Sequence, residues 1–347
     1  MSVLSGVLFH AAGAACASLC FVPQKKTRAW AWQTYWLAQA CVCWVLLPIL
    51  VAILTIPHLM TVLSLAPVSA VVKAFFLGAA YGIGGTAFGI SIRYIGFSLT
   101  YAIAIGISCV LGTLLPPLVH QQLEEVFGKL GAGWVLGGIG VGLIGIVLCG
   151  QSGWYKDKDL DLNKNILTFD YAKGLPVCIL AGVLSAFYGF ALDQGQPIAD
   201  IAAAYGAGNY QGNIVYVFAN AGAFSTTLIY CSYLHITQKT FKEYTSLVKN
   251  QLPSFLRINF LMAAITGSLW YAQFFFYGLG HVRMGSYKFS SWGIHMIMLV
   301  MFSLVAGVLL KEWTGCSKRT RITMGKAIIV LFIAVLMISY GNYLGKD

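Results

Sequence analysis

Charge is scarce in this chain. Lys and Arg number 22 and Asp and Glu 11 among 347 residues, so charged side chains make up 10% of the sequence. A soluble domain carries roughly 25%. So few cannot coat a water-facing surface, which excludes an ordinary soluble globular domain. Long polar stretches are nearly absent too. The longest reads "WYKDKDLDLNKNILTFDYAKG", from Trp154. The chain has no H-E-x-x-H, no G-x-S-x-G and no paired carboxylates within an apolar run, so the common hydrolytic sites are excluded. Only His10, His295 and Asp193 could serve an intramembrane enzyme, and the reading is that the protein is not one. No two of the nine Cys have zinc spacing, and no framework of paired cysteines is visible, which leaves them as small packing residues. No basic segment precedes the first apolar run, so that run is not read as a signal peptide.

Apolar residues fill the space that charge leaves, at 59%. A hydrocarbon core of about 30 Å needs roughly 20 of them in a helix. Ten runs qualify: 3–22, 34–56, 70–92, 97–119, 131–151, 173–195, 211–236, 256–280, 290–312 and 323–345. The expected fold is an all-α polytopic membrane protein of ten transmembrane helices. The net charge of +11 suggests nucleic acid at first sight. The basic residues lie between the apolar runs, however, where they mark cytoplasmic loops and no nucleic-acid partner.

Orientation follows from where they lie. Loops after runs one, three, five, seven and nine hold 17 of the 22, and the opposite side holds Lys73, Lys129, Arg283, Lys288 and Lys346. The positive-inside rule then places both termini outside. The polar stretch divides the chain into a first five-helix half (1–152), a cytoplasmic linker (153–172) and a second five-helix half (173–347). Five helices per half means that the halves enter the bilayer from opposite sides, as an inverted repeat, with a site expected near mid-membrane where they meet. "GAACASLCFVP" from Gly13 resembles "GVLSAFYGFAL" from Gly182, and "GISIRYIG" from Gly89 resembles "GLGHVRMG" from Gly278. Glycine is abundant, and Gly78/Gly82, Gly85/Gly89, Gly133/Gly137, Gly138/Gly142 and Gly341/Gly345 have the small-xxx-small spacing that lets helix backbones approach in lipid.

Polar residues inside the runs fall in stripes. In run eight Asn259, Thr266, Trp270, Gln273, Tyr277 and His281 share one helical face. Run seven carries Asn213, Tyr216, Asn220, Phe224 and Thr227; run nine offers Trp292 and His295; run one offers His10 on a face with Phe21. Such stripes must face other helices or water. One reading is helix-to-helix hydrogen bonding alone. The other is a site for a neutral hydroxylated solute, bound by amides and hydroxyls with aromatic faces stacked on its C–H side. A cation or phosphate ester would need charged clusters instead.

The motifs "WYAQFFFYGLGH", "SSWGIHM", "LLKEW", "GISIRYIG" and "FVPQKK" resemble the L-rhamnose–proton symporters of the drug/metabolite transporter superfamily, along nearly the whole chain. The resemblance implies two inverted five-helix halves and proton-coupled uptake of a deoxy-sugar, L-rhamnose, across the bacterial inner membrane, driven by the proton gradient and no cofactor. The alternative is an uncoupled facilitator, or an exporter of another small metabolite. Tyr271 and Phe276, with Trp270 and Gln273, lie in the matching motif. The substrate-binding candidates are Trp270, Gln273, Tyr271, Tyr277, Asn220, Tyr216, Trp292, His295 and Phe21. For proton coupling Asp193 is the expected acceptor, beside a "DQGQP" that can open the helix end, with His10 as relay or alternative; snorkelling of Asp193 to the interface is the competing reading. Glu312, beside Lys311, reads as an interfacial ion pair.

Overall fold

A computed structural model describes residues 3–160, 170–245 and 253–345. Lys164, Lys249 and Lys346 of the charge count, and 161–169 of the expected linker, lie outside the described residues. Among the described residues, ten helical stretches are long and apolar enough to cross a bilayer. They are α1 (Val3–Leu19), α2 (Trp32–Thr55), α3 (Val68–Ile95), α4 (Phe97–Val119), α5 (Ala132–Asp159), α6 (Tyr171–Gln194), α7 (Asn213–Gln238), α8 (Pro253–His281), α9 (Ser291–Leu309) and α10 (Lys318–Leu344). Each coincides with one expected run, because the apolar length that a bilayer demands is written directly in the sequence. The ends differ. Helix α5 runs on to Asp159 with Lys156 and Lys158 in its last turn, where cations suit a helix C-terminus. After α6, Gly195 leads into a second helix, Gln196–Ala204.

The chain falls into two compact units. One comprises residues Met1–Ser18, Gly84–Phe190 and Leu279–Asp347, and the other Leu19–Ile83 and Ala191–Gly278. Both draw helices from either side of the central polar stretch.

In the first unit α5 packs along α10. Lipid supplies no hydrophobic drive for this, so close backbone approach must. A Cβ on Gly138 would lie 2.7 Å from Ile338 and 3.0 Å from the Ala334 carbonyl, and one on Gly145 would lie 2.7 Å from Leu331. Gly131 meets the Gly341 backbone with φ +94°, which a side chain would strain. The working positions are thus seven apart on α5. Of the four-residue pairs, Gly138, Gly142 and Gly341 sit at contacts, whereas Gly85 and Gly133 face open space. Beyond α9, Lys156 meets the Glu312 carboxylate at 3.4 Å and lies over the Trp313 ring. Glu312 is therefore paired with Lys156, not with Lys311, whose φ of +58° marks a tight turn. The Asp159 carboxylate accepts from the Ser317 N–H and the Thr320 hydroxyl at the start of α10.

The second unit is built on α2, α7 and α8 with the first part of α3. Gly78 and Gly82 let α3 reach the backbone of α7 at Ala219 and Ala223, and Gly222 does the same toward Phe75. Ala52, Ile56, Val62, Ala74, Ile198 and Val215 close one end of its core.

Candidate functional site

Helix α2 is not regular. Between Trp32–Ala40 and Leu47–Thr55 it makes a π turn, Cys41–Leu46, with the Leu47 N–H bonded to the Val42 carbonyl. Pro48 follows. It has no N–H to give the Trp44 carbonyl and its ring would clash with that carbonyl, so the turn widens. The consequence falls on two tryptophans. Positions eight apart in a regular helix diverge by about 80°; a π turn absorbs one residue, so that Trp36 and Trp44 stand as if seven apart, about 20° off one face.

Both rings meet Trp270 of α8. The Trp36 centroid is 5.4 Å from that of Trp270 and Trp44 is 5.7 Å away, each edge to face. Phe21 completes the group at 5.4 Å. Trp32 stacks on Trp36 at 5.0 Å, and the Tyr81 ring meets Trp44 edge to face at 6.3 Å. Phe224 and Cys231 of α7 pack into the same cluster. None of these residues is charged. The box lies wholly in the second unit.

The polar stripe of α8 divides into two kinds of residue. Asn259 is used up: its Oδ1 accepts the Arg28 N–H at 3.2 Å and its Nδ2 donates to the Arg28 carbonyl at 2.8 Å. Thr266 is used up as well, donating to the Cys20 carbonyl at 2.7 Å and sharing a hydrogen bond with the Tyr35 hydroxyl at 2.6 Å. Gln273 is 7% exposed and has no hydrogen-bond partner among the described residues. The Tyr271 hydroxyl is likewise buried without one. On α7, Asn213 donates to Thr55 at 2.9 Å and the Tyr216 hydroxyl donates to the Phe274 carbonyl at 2.7 Å, so both fasten helices. Tyr216 also meets the Tyr271 ring edge to face. Asn220 and Tyr277 are buried in this unit.

Trp292 and His295 of α9 belong to the first unit. The Trp292 N–H is spent on the Ser108 carbonyl at 3.1 Å, and its ring fills space left by Gly112 and Gly189. His10 is fully buried there, with the His295 ring 5.8 Å from its own, edge to face. Gly280 gives His10 room: a Cβ at that position would lie 2.9 Å from its Nε2. Asp193 lies in the second unit, where its carboxylate accepts from the Gln194 amide at 3.1 Å. Of the sequence candidates, then, the structure gathers Trp270 with Phe21, Tyr216 with Tyr271, and His10 with His295. Sequence reasoning missed Trp36, Trp44 and Tyr81. For the two tryptophans the signal was their spacing in "WQTYWLAQACVCWVLLP", which matches a common face only once Pro48 is allowed to open the helix.

What this arrangement can do chemically is bind a small uncharged solute with apolar and hydroxylated sides. Comparisons with known proteins point the same way. The family model described as L-rhamnose-proton symport protein matches residues 1–343. The L-rhamnose-proton symporter of Cronobacter sakazakii is 32% identical over 344 residues, covering 98% of each chain. Those of Yersinia pestis and Escherichia coli are 30% identical over the same length and coverage.

Proposed function

The chain belongs to the L-rhamnose-proton symport protein family, and from that premise we propose that it imports L-rhamnose with protons across the bacterial inner membrane. It does so by alternating access, as two inverted five-helix halves of the drug/metabolite transporter type with both termini on the periplasmic side. The proton gradient is the energy source. The observation that carries the reading is the Trp270 box: aromatic rings at 5.4 to 5.7 Å on an α8 face whose Gln273 amide no described residue uses. A deoxy-sugar offers a matching pair of surfaces. Its C–H face and methyl stack on indole, and its hydroxyls take the amide. A charged substrate would find no counter-charge on the rings of the box.

Two places can carry the coupling proton. Asp193 is one. The His10 and His295 pair is the other and has the stronger geometric support, because the two rings meet edge to face at 5.8 Å, close enough to share one proton. The test is L-rhamnose uptake into proteoliposomes with and without an imposed pH gradient, beside counterflow without one. Accumulation that collapses with the gradient is expected; equilibration without accumulation would make the protein a facilitator. His10→Gln or Asp193→Asn, whichever is the coupling residue, is expected to abolish accumulation and retain counterflow. If both still accumulate the sugar, and His295→Gln does too, the assignment is wrong. A cysteine at either terminus is expected to react from the periplasmic side only.

A further inference from the structure

Gln39 faces no recorded task in the fold. It lies on α2 three residues after Trp36, and its side chain is fully buried. Neither its amide oxygen nor its amide nitrogen has a hydrogen-bond partner among the described residues. Its place in the helix is fixed from outside by Gly267 of α8. A Cβ on Gly267 would lie 2.7 Å from the Gln39 carbonyl and 2.7 Å from Val42, so a glycine there lets α8 close on this turn of α2. Trp270 and Tyr271 follow Gly267 by three and four residues, which puts them on the same face of α8. Gln39 therefore stands between the two helices that build the aromatic box, one turn from Trp36.

Other buried polar atoms of this unit without a described partner include the Trp44 Nε1, the Tyr271 hydroxyl and the Thr227 hydroxyl. Trp44 touches Trp270. Thr227 lies on α7 between Phe224 and Cys231, both of which pack into the box. Buried polar groups are ordinarily hydrogen-bonded, and the exceptions require a reason. Here Gln39, Trp44, Thr227 and Tyr271 lie on the helices that carry one set of rings.

We propose that Gln39 is a specificity-determining residue of the sugar site, its amide pairing with two adjacent hydroxyls of a neutral hexose while Trp44, Tyr271 and Thr227 complete the polar lining. A primary amide presents one acceptor and two donors in a plane. That matches a vicinal diol, in which one hydroxyl donates to the oxygen and its neighbour accepts from the nitrogen. The set has two donor-acceptor hydroxyls, one donor-only indole and one amide, with no charge, so it selects a polyol over an ion.

The proposal rests on placing the sugar beside Trp270, and the experiment separates the two. Gln39→Met and Gln39→Leu keep the volume and remove the amide. L-rhamnose binding to the purified variants is expected to weaken roughly 5- to 150-fold, the range for one buried hydrogen-bonding group. The thermal midpoint without sugar is expected to stay at or above that of the native chain, because an unpaired buried amide stabilises nothing. Against a series of monodeoxy rhamnoses, one analogue that the native chain discriminates is expected to bind the variants as well as rhamnose does. Affinity within twofold of native in both variants overturns the proposal. A lowered midpoint or failure to fold in both overturns it too, since it would show that the amide holds the fold. Trp270→Ala is the control for the site itself: if it leaves rhamnose affinity unchanged, the site reading fails, whereas loss of binding in Trp270→Ala with native binding in both Gln39 variants refutes Gln39 alone.

Discussion

Asn259 and Gln273 lie on one face of one helix, and their replacement by alanine is expected to have opposite consequences. Asn259 makes two hydrogen bonds to the Arg28 backbone, at 3.2 and 2.8 Å. Each contributes about 1 kcal/mol net, and the groups left behind belong to an exposed residue that water can reach. Asn259→Ala should therefore cost about 1–2 kcal/mol of stability and leave rhamnose affinity alone. Gln273→Ala breaks no hydrogen bond to a described residue. It removes one methylene, about 0.8 kcal/mol, and an amide that no described residue bonds. So small a loss means that stability should hardly move. Affinity for rhamnose should fall by about 1–3 kcal/mol, roughly 5- to 150-fold, because a sugar hydroxyl loses its partner. Thermal unfolding of the detergent-purified variants and titration calorimetry with L-rhamnose read the two quantities independently. The reasoning is refuted if Gln273→Ala unfolds early with native affinity, or if Asn259→Ala binds weakly while melting normally.

Pro48→Ala returns an N–H to α2 and removes the ring that opens it, so the π turn is expected to tighten and Trp44 to swing by about 100° off the Trp270 face; rhamnose affinity should fall roughly 2- to 10-fold, the value of one aromatic pair, and an unchanged affinity would show that Trp44 is packing only. Glu243 accepts the Ala31 N–H at 2.7 Å and the Thr34 hydroxyl at 2.6 Å, at the start of α2; Glu243→Gln is expected to cost about 1.5–3 kcal/mol in unfolding, and a native midpoint would refute the cap. The Lys173 side chain, 2.9 Å away, and then its backbone N–H hold the Asp170 carboxyl below the ordinary carboxylate range. Its folded pKa is depressed, so what it adds to stability is present above the unfolded carboxylate pKa of about 3.9 and is lost as the pH falls through the depressed value. Asp170→Asn should therefore flatten the acid limb of a stability–pH profile and change nothing at pH 7 beyond the small worth of an exposed pair.

The ten helices were legible because one physical requirement sets them: an apolar run must be as long as the bilayer is thick. The sorting of polar residues was not legible. Asn259, Thr266, Trp270 and Gln273 carry the same periodic signal, and what separates them is a partner: Arg28 and Cys20 lie 231 and 246 residues away in sequence. Periodicity reports a face and is silent about what meets it. The same blindness hid Trp292, whose N–H is satisfied by Ser108 across 184 residues. Trp36 and Trp44 were hidden for a different reason. A 3.6-residue period places them apart, and only the consequence of Pro48 for the carbonyl four residues earlier places them together. Gln39 was lost inside a run that reads as apolar from end to end.

Hydrogen bonding inside a membrane gives these details their functional weight. A polar side chain there is costly unless it is bonded, so helices consume such groups as fasteners: Tyr216 on Phe274, Asn213 on Thr55, Thr266 on Cys20. A carrier must leave some unconsumed, because a group already bonded at its best geometry has nothing to offer a sugar. The two demands compete for the same residue types, and sequence pattern alone cannot divide them. Aromatic rings resolve the competition in this chain. Trp36, Trp44 and Phe21 enclose Trp270 at 5.4 to 5.7 Å with contacts that need no hydrogen bonds, so this part of the second unit is held together around the box while the polar atoms of Gln39, Tyr271 and Gln273 stay unbonded by any described residue. A site of this kind is cohesive without sugar and polar toward it, which is the combination that binding and release of a neutral solute both require.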